Sequence, residues 1–254
     1  MLKRLKRAAE SAWRHLLALL FPSRCICCRR LVGGLDDTIC PACEKNLPMT
    51  AGRGEECLDA RKKHIEFAAA VVAPFYYKGA VREALVRYKF SGMQSYAPVF
   101  AAYAAEAVRR AVENRDILMP ELVTYVPVSK KRLRKRGYDQ ARLFAAELAK
   151  RLGLPLARLL DKPRDTPAQS ELDERARRAN VVGAYRTVEK NAALAAGKHI
   201  LLVDDVITTG ATMAEAAKTV AFLLPASVVC VAAAQTELEK SRKRLKSTDE
   251  CGII

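Results

Sequence analysis

The chain has 254 residues, 50% of them hydrophobic and 28% charged, which excludes wholesale disorder and leaves enough length to bury a sizeable core. Lys and Arg number 44 against 28 Asp and Glu, a formal net charge of +16 that favours anionic partners: nucleic acid, phosphorylated metabolites or an acidic membrane surface. The longest apolar runs, such as 16–21, are too short to span a membrane, and no small-residue cleavage site follows the basic start, so the sequence predicts a cytoplasmic protein.

Residues 1–22 predict an amphipathic helix. Leu2, Leu5, Ala9, Trp13, Leu16, Leu17 and Leu20 fall on roughly one face, and Pro22 ends the pattern. Such a face suits packing against a neighbouring module or partner chain, and it also suits an anionic membrane surface. Residues 23–64 are punctuated by Gly and Pro and read as irregular, with five of the eight cysteines between 25 and 43. Cys25-Ile-Cys-Cys28 and Cys40-Pro-Ala-Cys43 are two Cys-x-x-Cys knuckles. Two knuckles fill all four positions of a tetrahedral ion, so Cys25, Cys28, Cys40 and Cys43 are the predicted ligands of a structural zinc. Cys27 leaves a Cys25/Cys27 register ambiguity, and a redox pair is the other reading of such a knuckle.

From 65 to 236 strands alternate with helices. Strands are predicted at Phe67–Tyr77, Leu122–Val128, Ile200–Val203 and Ser227–Ala234; helices at Val81–Lys89, Pro98–Val112, Gln140–Leu152 and Ala214–Leu224. This alternation predicts an α/β fold with an open, mostly parallel sheet flanked by helices. Residues 161–180 are polar and Pro-containing and read as a long loop, and 237–254 as a charged tail.

The sharpest local signal is His199-Ile-Leu-Leu-Val-Asp-Asp-Val-Ile-Thr-Thr-Gly-Ala-Thr-Met213. A buried strand carries Asp204 and Asp205 at its C-terminal end, where open α/β sheets collect ligands. The small, hydroxyl-rich run Thr208, Thr209, Gly210, Ala211, Thr212 then leads into a helix, whose N–H groups and dipole favour a phosphate. An acidic pair beside a phosphate cradle fits a phosphorylated ribose. The run lacks the Lys of a Walker A loop and the three spaced glycines of a dinucleotide fingerprint. Ser129–Gly137 carries six cations in nine residues and suits either DNA phosphates or a pyrophosphate.

At these residues the chain resembles the phosphoribosyl-pyrophosphate (PRPP) motif of type I phosphoribosyltransferases. Tyr125-Val-Pro-Val-Ser129, Arg136-Gly-Tyr-Asp-Gln140, and Thr166-Pro-Ala-Gln-Ser170 with Arg177-Arg-Ala-Asn180 are similar to signatures of the ComF family, with Asp139 standing where that family usually has Asn. The resemblance implies a type I phosphoribosyltransferase-like domain over 65–236, preceded by a small four-cysteine zinc module over 23–64, and an association with DNA uptake in competent bacteria. It further implies that Asp204 and Asp205 accept hydrogen bonds from ribose hydroxyls or metal waters, and that Val206 and Thr208–Thr212 hold the 5′-phosphate. Lys130, Lys131 and Arg132 would meet the pyrophosphate with Mg²⁺, and Gln169 and Arg177 would close over the site. The acceptor of the phosphoribosyl group is not legible. The second reading is a non-catalytic accessory protein that binds single-stranded DNA or a competence helicase and keeps the PRPP pocket as a sensor or relic.

Overall fold

The computed structural model describes Trp13 and residues 23–33, 37–163 and 182–238. The helix predicted over 1–22, nearly all of the predicted 161–180 loop with Gln169 and Arg177, and the charged tail lie outside the described residues, apart from Trp13, residues 161–163, Glu237 and Leu238.

Two strands carry the architecture: β7 (His199–Ile207) and β8 (Ser227–Gln235) pair in parallel along most of their length. Their apolar runs are buried from both faces, as the near-continuous Ile-Leu-Leu-Val and Val-Val-Cys-Val patterns demand. Around them stand β1 (Cys57–Asp59), β2 (Ala70–Val72), β3 (Phe75–Tyr76) and β4 (Leu122–Tyr125), in the order β1-β2-β8-β7-β4, with β3 also on β8. All pairings in this sheet are parallel except β1 with β2. The single strand predicted over Phe67–Tyr77 is divided into β2 and β3 at Ala73-Pro74, because proline has no N–H to give the ladder. Cys57–Asp59, read as irregular, joins the main sheet as its antiparallel edge.

Ahead of the sheet a single helical turn, α1 (Pro41–Glu44), carries Cys43. Longer helices cover both faces of the sheet. On one side α2 (Gly79–Phe90), α3 (Ala97–Glu113) and α5 (Gln140–Leu152) enclose a core that includes Phe75, Leu85, Phe100, Phe144 and Val203. The alanine-rich α3 and α5 pack closely on each other, their small side chains letting the backbones approach. On the other side α6 (Ala211–Ala221) packs Met213, Ala217 and Val220 against Ile200 and Leu202. A short antiparallel pair, β5 (Leu160–Asp161) with β6 (Arg186–Thr187), stands beside α6. Helix α5 begins and ends where capping chemistry predicts: Asp139 accepts from the Arg142 N–H at 3.0 Å, and Gly153 takes φ +69 at the C-cap.

Three of the boundary shifts bear on the candidate site. The strand predicted over Ile200–Val203 runs on to Ile207, so Asp204 and Asp205 lie within it and not at its end. The helix predicted from Ala214 starts at Ala211, directly after the left-handed Gly210. The strand predicted over Leu122–Val128 stops at Tyr125, and the cationic segment after it is a helix, α4 (Lys130–Arg136). Ser129 caps α4 by accepting from the Arg132 N–H at 3.3 Å, and Gly137 ends it at φ +79.

Candidate functional site

The ends of β7, β8 and β4 and the start of α6 meet at one edge of the sheet, the carboxyl edge where α/β folds gather ligands. Thr208, Thr209 and Gly210 form the turn from β7, and Ala211 and Thr212 open α6. Gly210 has φ +81, and a Cβ there would stand 2.1 Å from the Lys63 carbonyl oxygen. Only glycine admits both the left-handed backbone and that approach. The Lys63 carbonyl belongs to a 3₁₀ turn, Ala60–Lys63, that lies against the loop. Lys63 also reaches across the sheet edge, its ammonium donating to the Thr236 carbonyl, while the Thr236 hydroxyl donates to the Thr208 carbonyl at 2.9 Å. Burial lowers the Lys63 ammonium to about 8, with the Glu55 charge acting against the shift.

The acidic pair is asymmetric. Asp205 is buried, and its Oδ1 is 2.8 Å from the ammonium of Lys89, near the C-terminal end of α2. Its Oδ2 is buried without a hydrogen-bond partner among the described residues. Asp204 is half-buried and accepts the Asp205 N–H at 2.8 Å. Burial first, and then the charge of Asp205, pushes the Asp204 carboxyl up to about 8, although Lys89 opposes the shift.

Lys89 was not legible as a site residue. Its context, Arg87-Tyr-Lys-Phe90, reads as the end of an amphipathic helix, and no spacing links it to Asp205. Tertiary ties place it. The Tyr88 hydroxyl donates to the Gln140 carbonyl at 2.6 Å, and the Tyr138 hydroxyl donates to the Tyr88 carbonyl. The Arg136–Gln140 segment is thereby locked to the end of α2. Asp139 serves that lock by accepting from the Val128 N–H at 3.2 Å as well as capping α5. Asn is an equally good cap through its one carbonyl oxygen, but it would set an NH2 donor against one of the two N–H groups that the Asp139 oxygens now accept, so the carboxylate serves both bonds better.

Lys130 and Lys131 are exposed on α4, and Arg132 is half-buried. Arg132 is close enough to Tyr185, the residue directly before β6, to act on its phenol electrostatically. The sequence offered few aromatics among these cations, but the fold supplies one from α2: Phe90 is 67% exposed, and the Arg136 guanidinium lies over its ring at 4.8 Å. A cavity of about 260 Å³ lies on the α6 side of the 208–212 loop, lined by His64, Phe67, Thr209, Ala211, Glu215 and Lys218 among others. Asp204 and Asp205 do not line it, so it flanks the carboxylates and does not contain them.

Apart from the carboxylates and the 208–212 loop, the sulfurs of Cys25, Cys28, Cys40 and Cys43 lie within 4.8 Å of one another. A tetrahedral zinc with Zn–S near 2.3 Å sets sulfurs about 3.8 Å apart, and Cys28 and Cys40 are already at 3.7 Å. The Cys40 N–H donates to the Cys25 sulfur at 3.4 Å. Burial raises the Cys25 thiol, but the N–H groups of Cys28, Cys40 and Cys27 prevail and hold it at about 6. Four sulfurs, one of them stabilised as thiolate, are a donor set that fits zinc. Cys27 points elsewhere: it is buried in the core, and burial pushes its thiol up to about 12. Arg87 pins this knuckle to α2 by donating to the carbonyls of Ile26 at 2.7 Å and Cys27 at 2.6 Å. Cys57 sits in β1, and Cys230 is fully buried in β8.

Residues 139–252 match the phosphoribosyl transferase domain family. The chain is 29% identical over 210 residues to competence protein F of Haemophilus influenzae, covering 78% of this chain and 90% of that protein. It is 27% identical over 217 residues to competence protein ComFC of Bacillus subtilis, covering 82% of each. Over most of its length the chain is thus similar to proteins named for competence, and it carries a phosphoribosyl transferase domain match. The chain is also 30% identical over 131 residues to the DNA utilization protein YhgH of Salmonella typhimurium, spanning 51% of this chain and 56% of that one. Its fold is that of a type I phosphoribosyltransferase-like domain joined to a four-cysteine cluster.

Proposed function

We propose that the chain binds Mg-PRPP at the carboxyl edge of its sheet and transfers the phosphoribosyl group to an acceptor in a process tied to DNA uptake. The observation that carries this reading is the continuous run from Asp204 and Asp205 on β7, through Thr208–Gly210, into the N-terminus of α6. The N–H groups and hydroxyls of Thr208–Thr212 take the 5′-phosphate, favoured by the helix dipole. Val206 and Ala211 shape the loop around it. Asp204 and Asp205 accept from the ribose hydroxyls, which orients C1 toward α4, and Lys130, Lys131 and Arg132 meet the pyrophosphate. Mg²⁺ supplies neutralisation of that leaving group when bound. Gln169 and Arg177 are proposed to close over the ribosyl centre and exclude water. Cys25, Cys28, Cys40 and Cys43 hold a structural zinc in the same reading, and a reducing cytoplasm keeps those thiols available. Among the described residues no helix is long and apolar enough to cross a membrane.

A ligand that binds only the folded state stabilises it by about 2.7 kcal/mol at a hundredfold excess over Kd. In a domain of this size that raises Tm by roughly 5–10 °C. Differential scanning fluorimetry with Mg-PRPP should show this shift, and a smaller one without the metal. Pyrophosphate release in an acceptor screen then separates transfer from mere binding. No shift and no calorimetric heat at millimolar Mg-PRPP refutes the reading.

One observation favours the second reading, an accessory protein that holds single-stranded DNA or docks a helicase. Phe90 offers an exposed ring beside the cations of α4, the combination of stacking surface and phosphate contacts that single strands need. In that case binding of an oligothymidylate falls steeply with salt and weakens on Phe90→Ala, while Mg-PRPP produces no shift.

A further inference from the structure

Resting on the reading of the β7 carboxylates as a ribose site, we propose that Lys89 is the positioning residue that holds Asp205 in place for a ribose hydroxyl. The contact is direct and sheltered: Nζ to Oδ1 is 2.8 Å, with the Lys89 side chain 19% and the Asp205 side chain 6% exposed. Two adjacent carboxylates on one strand repel, and each gains by turning away from the other. Asp139 adds a third acid to the neighbourhood, since its charge bears on Asp204. Lys89 counters this arrangement from above. Burial alone would lower its ammonium, and Asp205 overrides that and raises it, so the lysine stays a full cation where it stands.

The placement of Lys89 is enforced by its neighbours on both sides. Tyr88 is tied to Gln140 and to Tyr138, and the Arg136 guanidinium lies over one face of the exposed Phe90 ring. The end of α2 that carries Lys89 is therefore held against the Arg136–Gln140 segment, and the ammonium reaches Asp205 from a fixed backbone. With Oδ1 engaged by Lys89, Asp205 keeps Oδ2 as a buried acceptor that nothing in the described structure satisfies. An unsatisfied buried acceptor is costly, and a sugar hydroxyl relieves that cost. A sugar lacking the hydroxyl does not, and sites built to receive a hydroxyl reject analogues without it strongly. Lys89 thus makes the pair selective for ribose over deoxyribose.

Calorimetric titrations with ribose 5-phosphate, 2-deoxyribose 5-phosphate and inorganic phosphate test this on the whole chain. The wild type should prefer ribose 5-phosphate over its deoxy analogue at least tenfold. Lys89→Met should cut that preference below threefold and leave inorganic phosphate binding within twofold, which also certifies that the variant is folded. Lys89→Arg should restore most of the preference, and in an Asp205→Asn background Lys89→Met should add nothing. A Lys89→Met protein that still prefers ribose tenfold overturns the role of Lys89 while the ribose reading stands. A wild type that binds phosphate but neither sugar phosphate overturns the ribose reading, and the inference with it.

Discussion

Replacing Gly210 by Ala tests whether the 208–212 loop is pressed against the 60–63 turn. Two separate costs apply. The left-handed backbone at φ +81 costs a residue with a Cβ about 1–2 kcal/mol. The new methyl must also be accommodated 2.1 Å from the Lys63 carbonyl oxygen, so one backbone must shift by about an ångström to reach ordinary contact. The 60–63 turn is not free to shift. Its Arg61 N–H is held by Asp59 at 2.9 Å, the Ile65 N–H by the Ala60 carbonyl at 3.1 Å, and the Lys63 ammonium by Thr236. Weakening two of these bonds costs about 1–3 kcal/mol. The total is about 2–5 kcal/mol, a fall in Tm of roughly 5–15 °C by scanning calorimetry. Gly153→Ala is the control: it shares the backbone strain at φ +69, but nothing lies within 4 Å of its Cβ. It should cost only the strain, about 1–2 kcal/mol. Equal destabilisation of the two variants refutes the close approach, and so does inorganic phosphate binding that is undiminished in Gly210→Ala.

Asp204, raised to about 8, keeps a proton in the folded protein that the unfolded chain releases near pH 4. Stability should therefore fall as pH rises between those values, by up to about 1.4 kcal/mol per unit. Asp204→Asn should match the wild type near pH 4, exceed it in urea melts at pH 8, and bind ribose 5-phosphate more weakly; identical pH slopes contradict the burial argument. Elemental analysis should find one zinc per chain, retained in Cys57→Ser and lost in Cys40→Ser. Hydrogen exchange in Cys40→Ser should quicken over 23–33 and 37–50 and leave β7 and β8 protected, whereas a full zinc complement in that variant removes Cys40 from the shell.

The elements that depend on local pattern were legible. Gln140–Leu152 was bounded by its cap and its glycine, and the two central strands announced themselves as β-branched runs too apolar to face water. The two knuckles named their four cysteines because thiolate spacing within a knuckle is a local property. Boundaries slipped where a tertiary partner decides the backbone. β7 runs past its carboxylates because β8 continues beside it as far as Gln235, and α4 is helical because Ser129 and Gly137 cap a segment whose charges alone suggest a loop. The choice of Cys25 over Cys27 likewise fell to tertiary structure: both are buried in the core, but it is the Cys25 sulfur that gathers with those of Cys28, Cys40 and Cys43. The site shows the same division. Asp204, Asp205 and the Thr208–Thr212 loop are contiguous, so one stretch of sequence carries both carboxylates and cradle. Lys89 and Lys63 reach them from α2 and the 60–63 turn, and such distant contacts leave no periodicity to read. What they contribute is charge balance and a backbone pressed onto Gly210, each fixed only when the sheet brings its edges together.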